Sequence, residues 1–579
     1  MSNIFGSLYI GVYGLMTSQA GIDITGHNIA NANTEGYSRQ RVVIETQHPL
    51  LTTPGPFGRG AKLVGVERVY SDTVAKNLRN ETSSVNYWSN INTSLEQINV
   101  YFNELEAGSG LGDALKEYFD AWQNLANAPA DNSDEAQVKK IELISKTEIL
   151  ATKIQENYYH IKDMQNTANL NISSYIDEIN DLTENIGMLN SEIAKIEATG
   201  NNANDYRDKR ELLLNKLSEY VDFTSSERDD GQIGVFVGGV TLVDSGTVNK
   251  LYAVSSEENS NYYDIYWGPR GNNTPLVNIT SKVSSGKLAA EVKTRDEILP
   301  GYLDSLSTFS SALIQETNQI HATGIGLERF NSISSTNSVS NPTFPFLKNE
   351  GKFPYEITSG TLRIALYNSE NEITEYLDID IDPNEDNLNS VIRKINESGS
   401  GKLTAQLSSG NSIKISAEGG YTFSFVEDTS NFLVAAGLNG FFKGKDASDI
   451  GVNDLVKNNI NYIASGKSTA PGDNRNLLAI ADIKFQKVIN NSYTIDEFYS
   501  TFASTIAADK NQAYTFYNTK KQSVDQFTIK LEEIKGVSID EEFVNLIKFQ
   551  KAYEANARFI TVVDEMIDRL INGVGIVGR

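Results

Sequence analysis

Apolar residues recur every seven positions at the start of the chain, at Leu8, Leu15, Ile22 and Ile29, with Ile4, Gly11, Ser18 and Thr25 on the alternate seam positions. A seven-residue apolar repeat marks a helix that packs lengthwise on other helices. Here one layer is large and the next mostly small. Gly6, Gly11, Gly14, Gly21 and Gly26 interrupt the repeat, and each costs up to 1 kcal/mol against alanine, for a total of roughly 4 to 5 kcal/mol of helical propensity. Burying Ile4 and the four heptad residues returns about 8 to 15 kcal/mol. The segment is therefore stable as a helix only where a partner covers that face, and its small residues let the partner come close.

The other end has the same property. Leu546, Phe549, Tyr553, Asn556, Ile560, Val563, Ile567 and Leu570 alternate at spacings of three and four, with Glu554, Arg558, Glu565 and Arg569 between them. Asn556 is the one polar residue on this seam, a place where asparagine sets helix register at some expense of stability. Two coiled-coil-like helices at opposite ends predict a paired terminal domain, with everything between them forming an outward excursion.

A third heptad run, Ile172, Tyr175, Ile179, Leu182, Ile186, Leu189, Ile193 and Ile196, predicts a long internal helix. Leu306, Phe309, Leu313 and Ile320 mark another after Pro300, so residues 75 to 325 read as mainly helical, with "GQIGVFVGGVTLVDSG" (231 to 246) as a glycine-turned hairpin. Near Phe330 the composition shifts to "NSISSTNSVSNPTFP", a linker. Beyond it "TLRIALY" (361 to 367), "KLTAQL" (402 to 407), "SIKIS" (412 to 416) and "YTFSFV" (421 to 426) alternate as strands around one short helix at 386 to 398. The fold expected is mainly α with β insertions. The terminal core halves are 1–40 and 540–579, the helical-bundle body is 41–330 with its return at 445–539, and a β-rich outer domain occupies 331–444.

Chemistry is sparsely represented. A net charge of −25 without a clustered basic patch argues against nucleic acid and anionic membrane. The chain has no cysteine, which excludes disulfides, thiolate metal sites and cysteine nucleophiles. Its four histidines, His27, His48, His160 and His321, lie far apart without metalloprotease spacing. Asp378, Asp380 and Asp382 alternate like the start of a calcium loop, yet the glycine and bidentate glutamate that such a loop needs at set offsets are missing. A strand that buries Leu377, Ile379 and Ile381 and ends at Pro383 explains them better. No catalytic residue, cofactor site or metal site is expected. The first cationic residue is Arg39 and no apolar run spans a bilayer, so neither a cleaved signal peptide nor membrane insertion is expected.

The stretch "NIANANTEGYSRQ" (28 to 40) follows the last strict heptad residue. Asn31 and Asn33 suit a helix exit, where asparagine caps freed carbonyls or forms Asx turns. Gly36 suits a positive φ. Tyr37 supplies a ring to pin the departing chain, and Arg39 and Arg41 offer positive charge for the carboxylates of a neighbouring protomer.

Together these ends resemble the axial proteins of the bacterial flagellum, whose N-terminal signature "ANxNTxGYxR" stands here as Ala30, Asn31, Asn33, Thr34, Gly36, Tyr37 and Arg39. The stretch 540 to 571, with Tyr553, Ala555, Asn556 and Ala557, is similar to the matching C-terminal helix. Internal stretches at 204 to 222, 286 to 324 and 470 to 483 are similar to the first of the two hook-associated junction proteins. The most discriminating run is Arg295, Asp296, Leu299 and Pro300, followed by Asn318 and His321. The resemblance implies a non-enzymatic, extracellular adaptor that leaves the cell through the flagellar type III export channel, held by an export chaperone at its C-terminal helix. It implies assembly beneath the filament cap as a homo-oligomeric tubular ring between the hook protein and the second junction protein. The two terminal seams and the 31 to 39 motif would then be assembly surfaces. The alternatives are a hook or distal-rod protein, and a secreted enzyme or adhesin carried by the outer domain.

Overall fold

A computed structural model describes residues 4–52, 55–102, 108, 110–128, 133–269, 275–470 and 472–573. It divides into two compact units. One comprises residues 1–93, 167–294 and 512–579, and the other residues 94–166 and 295–511.

In the first unit the helices Ile4–Asn31 and Ile539–Gly573 pack side by side, the pairing that their repeats predict. Between Gln40 and Arg68 the chain forms strands, which the sequence reading does not foresee: Gln40–Thr46 pairs antiparallel with Ala61–Arg68, with an irregularity after Val43. The third heptad run lies on the 64-residue helix Asp134–Glu197. Its strict positions Ile172, Ile179, Ile186 and Ile193 are all fully buried, and the intervening Tyr175, Leu182, Leu189 and Ile196 are half-buried. Against Ile172, Ile179 and Ile186 pack Leu214 and Leu217 of the helix Asn204–Tyr220 and Ile233, Val235 and Val237 of the foreseen hairpin. That hairpin turns on Gly238 and Gly239, with φ of +56° and +82°, which residues bearing a Cβ rarely adopt. Thr224–Glu227 and Thr247–Val248 extend it to four strands, and Lys250–Ser255, Tyr263–Gly268 and Val277–Asn278 form a separate sheet.

The second unit holds the β-rich region. Gly360–Tyr367 is the central strand between Ile373–Ile381 and Thr422–Asp428, and Ser412–Ala417 is central between Ser332–Ser334 and Leu403–Ser408. Leu377, Ile379 and Ile381 are buried while Asp378 and Asp380 face out. Asp378 receives a bidentate interaction from Arg363, Nε to Oδ1 at 2.7 Å and Nη2 to Oδ2 at 3.0 Å. Among the described residues no group of acidic or histidine side chains is arranged to hold a metal ion. The short helix Leu388–Gly399 begins with a reciprocal cap between Asn387 and Ser390. On the helix Leu299–Ala322, Leu306, Phe309 and Leu313 are fully buried and Ile320 is half-buried.

Helical asparagines tie helices to neighbouring backbone in both units. Asn180 donates to Leu251 O and accepts from Leu251 N, each at 2.9 Å. Asn190 does the same to Ile233, Asn318 to Phe442 and Asn396 to Ala405. A carboxamide carries a donor and an acceptor in one plane, so it satisfies both backbone groups of one residue that its own sheet leaves unpaired. The abundance of asparagine thus has a structural use.

Candidate assembly interface

The two terminal helices meet through the small residues of the N-terminal repeat. An added Cβ at Gly21 would stand 2.5 Å from the Phe549 ring, one at Gly14 would stand 2.5 Å from Asn556 Oδ1, and one at Gly11 would stand 2.6 Å from Ile560 Cγ1. Ser18 and Thr25, also buried, return their hydroxyls to the carbonyls of Gly14 and Gly21 at 2.8 and 2.7 Å. The glycines that weaken this helix in isolation therefore form the groove that admits the larger side chains of its partner. Asn556, over Gly14, gives the pair a polar register mark.

The large layer is less covered. Leu8, Leu15, Ile22 and Ile29 are half-buried, because one partner helix shields only part of their face. On the C-terminal helix Val563 is fully buried, Leu546, Phe549, Asn556, Ile560 and Ile567 are half-buried, and Tyr553 and Leu570 are exposed. A second apolar stripe on each helix lies open. On the N-terminal helix it consists of Phe5, Tyr9, Val12 and Met16, at spacings of four, three and four, with Tyr9 57% and Met16 60% exposed. On the C-terminal helix it consists of Phe559, Val562, Met566 and Leu570.

The helix exit is organised by a residue that the sequence reading passes over. Asn28 is 1% exposed and holds four partners. Its Nδ2 donates to Gln40 O at 2.9 Å and to Glu542 Oε2 at 3.0 Å, and its Oδ1 accepts from Gln40 N at 2.9 Å and from the Tyr37 hydroxyl at 2.7 Å. It joins the N-terminal helix, the first strand and the C-terminal helix at one point. The predicted residues surround it. Asn31 donates to His27 O at 3.0 Å and accepts from the Thr34 hydroxyl, Asn33 is exposed, and Gly36 has φ +80°. Tyr37 also sets its ring edge-on to His27. Arg39 bonds Glu541 of this chain's own C-terminal helix at 3.0 Å, and its N–H donates to Lys535 O.

Beneath the exit lies the helix Asn204–Tyr220, so two stretches distant in sequence form one site. Asp205 accepts from Gln40 Nε2 at 2.7 Å, and Asp208 from Ser38 N at 2.8 Å and Arg68 at 3.2 Å. Glu211 pairs with Arg79 at 2.7 Å and accepts from the Tyr70 hydroxyl at 2.9 Å. The spacing of three puts these carboxylates on one helix face. Burial by itself would raise the Glu211 carboxyl, but Arg79, Arg68 and Arg210 reverse the effect and hold it below the usual range. For Asp208 burial prevails over Ser38 and Arg68, and its carboxyl is raised. Burial and the nearby Asp205, Asp208 and Glu542 raise the Tyr37 phenol, which stays a hydrogen-bond donor. This arrangement fixes the geometry of the helix exit.

His321 has a comparable structural role in the second unit. It is fully buried, its Nδ1–H donates to Asn439 O at 2.8 Å, and its Nε2 accepts from Ala464 N at 3.0 Å. Burial lowers its pKa to about 4, so the ring is neutral in this tautomer at neutral pH.

Residues 95–332 match the model of the flagellar hook-associated protein FlgK helical domain. Residues 532–573 match the C-terminal model of flagellar basal body rod FlgEFG proteins, and residues 8–37 that of flagella basal body rod proteins. Flagellar hook-associated protein 1 of Salmonella typhimurium is 24% identical, covering 96% of this chain and 98% of its own. The Escherichia coli K12 protein is 25% identical over the same shares, and that of Bacillus subtilis 168 is 25% identical with 100% of both chains covered. The structure of the flagellar hook junction protein FlgK from Burkholderia pseudomallei shares the fold, with a TM-score of 0.50, 16% identity, and coverage of 80% of this chain and 100% of that one. Along its whole length the chain is thus similar to flagellar hook-associated protein 1, and residues 95–332 carry the helical domain of that flagellar protein.

Proposed function

We propose that the chain is the adaptor that polymerises at the distal end of the hook and builds the junction on which the filament grows. The observation that carries this reading is the pair of open apolar stripes, Phe5, Tyr9, Val12 and Met16 on one terminal helix and Phe559, Val562, Met566 and Leu570 on the other. Fully burying such side chains is worth about 1.5 to 3 kcal/mol each, so neighbouring copies that cover them supply the driving force for a tube. The segments 1–40 and 540–579 form its core, and 331–444 its outer domain. Its partners are further copies, the hook protein below, the second junction protein above and the filament cap during growth, with an export chaperone on the C-terminal helix beforehand. It works as a scaffold and not as a catalyst, and leaves through the type III export channel. Among the described residues no helix is long and apolar enough to cross a membrane.

The test is a Tyr9→Ser, Met16→Ser double variant in cells lacking the native copy. It is expected to be secreted in normal amounts, to leave hooks intact and to produce no filaments. Filaments of normal number and length would refute the role of the stripe. Gly36→Val and Tyr37→Ala are expected to share the phenotype through the helix exit.

A further inference from the structure

The second unit carries an exposed aromatic knob and an open, largely apolar groove. Phe485 is 75% exposed and is flanked by Lys484 and Lys487, neither of which has a carboxylate partner among the described residues. A lone exposed aromatic is ordinary; one set between two unpaired cations is a defined recognition element. The groove lies between the helices Leu299–Ala322 and Ile495–Lys535, with a volume of about 350 Å³. Roughly 150 Å³ accommodates a benzene ring in an apolar cavity. Ile298, Tyr302, Phe498 and Phe502 supply its apolar walls, and Glu297 and Asp509 are the acids at its margin, Asp509 also accepting from the Tyr302 hydroxyl at 2.6 Å. Apolar surface meets an apolar ring and acid meets base, the pairing an interface needs for both affinity and register.

The groove and the depression beside the knob lie on different sides of one helix. Phe498, Phe502 and Asp509 face the groove, whereas Asp496, Tyr499 and Ser500 line a separate depression together with Lys484, the knob's own neighbour. At 100° per residue, positions 496 and 500 lie about 160° from 498. Such a surface cannot satisfy itself by a two-fold contact between identical patches; it joins copies head to tail, the heterologous type that generates rings and helical tubes.

The geometry points to a contact in which Phe485 of one copy enters the Ile298–Tyr302–Phe502 groove of the next, with Lys484 and Lys487 facing Glu297 and Asp509. This inference rests on the assembly reading above and adds an interface outside the terminal helices. The absence of native cysteine makes it testable by cross-linking. Gln486 and Thr505 are exposed beside the knob and in the groove. Gln486→Cys and Thr505→Cys are introduced singly and together into the full chain, in cells lacking the native copy, and isolated flagella are oxidised. The double variant is expected to give disulfide-linked multimers about tenfold more abundant than either single variant. Filament-bearing flagella without such multimers would overturn this contact and leave the adaptor reading standing. In parallel, Phe485→Ser is expected to be secreted normally and to lower the number of filaments several-fold; an unchanged number would also overturn the proposal.

Discussion

Asn28 is the position where a single-atom change tests the most structure. Asn28→Asp keeps the shape and the acceptor that receives Gln40 N and the Tyr37 hydroxyl. It replaces the Nδ2 donor with an oxygen 2.9 Å from Gln40 O and 3.0 Å from the Glu542 carboxylate. Two donated hydrogen bonds are lost, worth about 1 kcal/mol each. Two carboxylates are also forced together, and at 4 Å and an effective dielectric of 20 their repulsion is about 4 kcal/mol. Proton uptake limits that repulsion: holding a carboxyl of ordinary pKa near 4 protonated at pH 7 costs about 4 kcal/mol. The variant is therefore expected to lose about 4 to 6 kcal/mol of stability in the first unit at neutral pH. The introduced carboxyl has a folded pKa raised above its unfolded one, so the deficit shrinks as pH falls from 7 towards 4, by up to about 1.4 kcal/mol per unit. Asn28→Ala is expected to lose about 2 to 4 kcal/mol through the partners it strands, with no such recovery. Urea unfolding of the three full-length proteins, followed by far-ultraviolet circular dichroism at pH 7 and pH 5, separates these outcomes. If the gap between Asn28→Asp and Asn28→Ala stays the same at both pH values, the Glu542 contact does not organise the helix pair.

Gly21→Val places a branched side chain where the Phe549 ring already lies within 2.6 Å. Overpacking of this kind costs about 1 to 3 kcal/mol; faster hydrogen exchange is expected in both terminal helices, and unchanged protection would show that the pair does not depend on the glycine groove. His321 is lowered to about 4, so neutral imidazole is the stabilising form: its contribution is complete above the unfolded value near 6.5 and is lost as pH falls towards 4. Between pH 7 and 4.5 this amounts to about 2 to 3 kcal/mol, and His321→Gln, which retains a donor and an acceptor, is expected to remove that part of the pH dependence in urea unfolding of the second unit. Identical pH profiles would contradict a buried neutral ring.

The local patterns alone determined a good deal. Strict repeats at 8 to 29 and 172 to 193 identified helices because apolar burial at constant spacing leaves a mark in one dimension. The aspartates at 378 and 380 read correctly as the outer face of a strand, since Leu377, Ile379 and Ile381 supply the opposite face within the same few residues. The strands at 40 to 68 and 250 to 278 were not legible, because short strands with much exposed surface carry little periodicity of their own.

Tertiary structure alone decided which face of the N-terminal repeat is the seam. Heptad spacing marks large and small layers equally; only the arrival of Phe549, Asn556 and Ile560 makes Gly11, Gly14 and Gly21 the contact. The same holds for Asn28. In sequence it is one asparagine among several, whereas Asn31 and Asn33 stand in a recognisable signature. Its four partners lie at residues 37, 40 and 542, and a hydrogen-bond hub formed by residues as much as 514 positions apart has no local trace. The sequence thus specified helices in need of covering, and the three-dimensional arrangement chose which small residues and which polar groups do the covering, because side-chain complementarity exists only between surfaces already brought together.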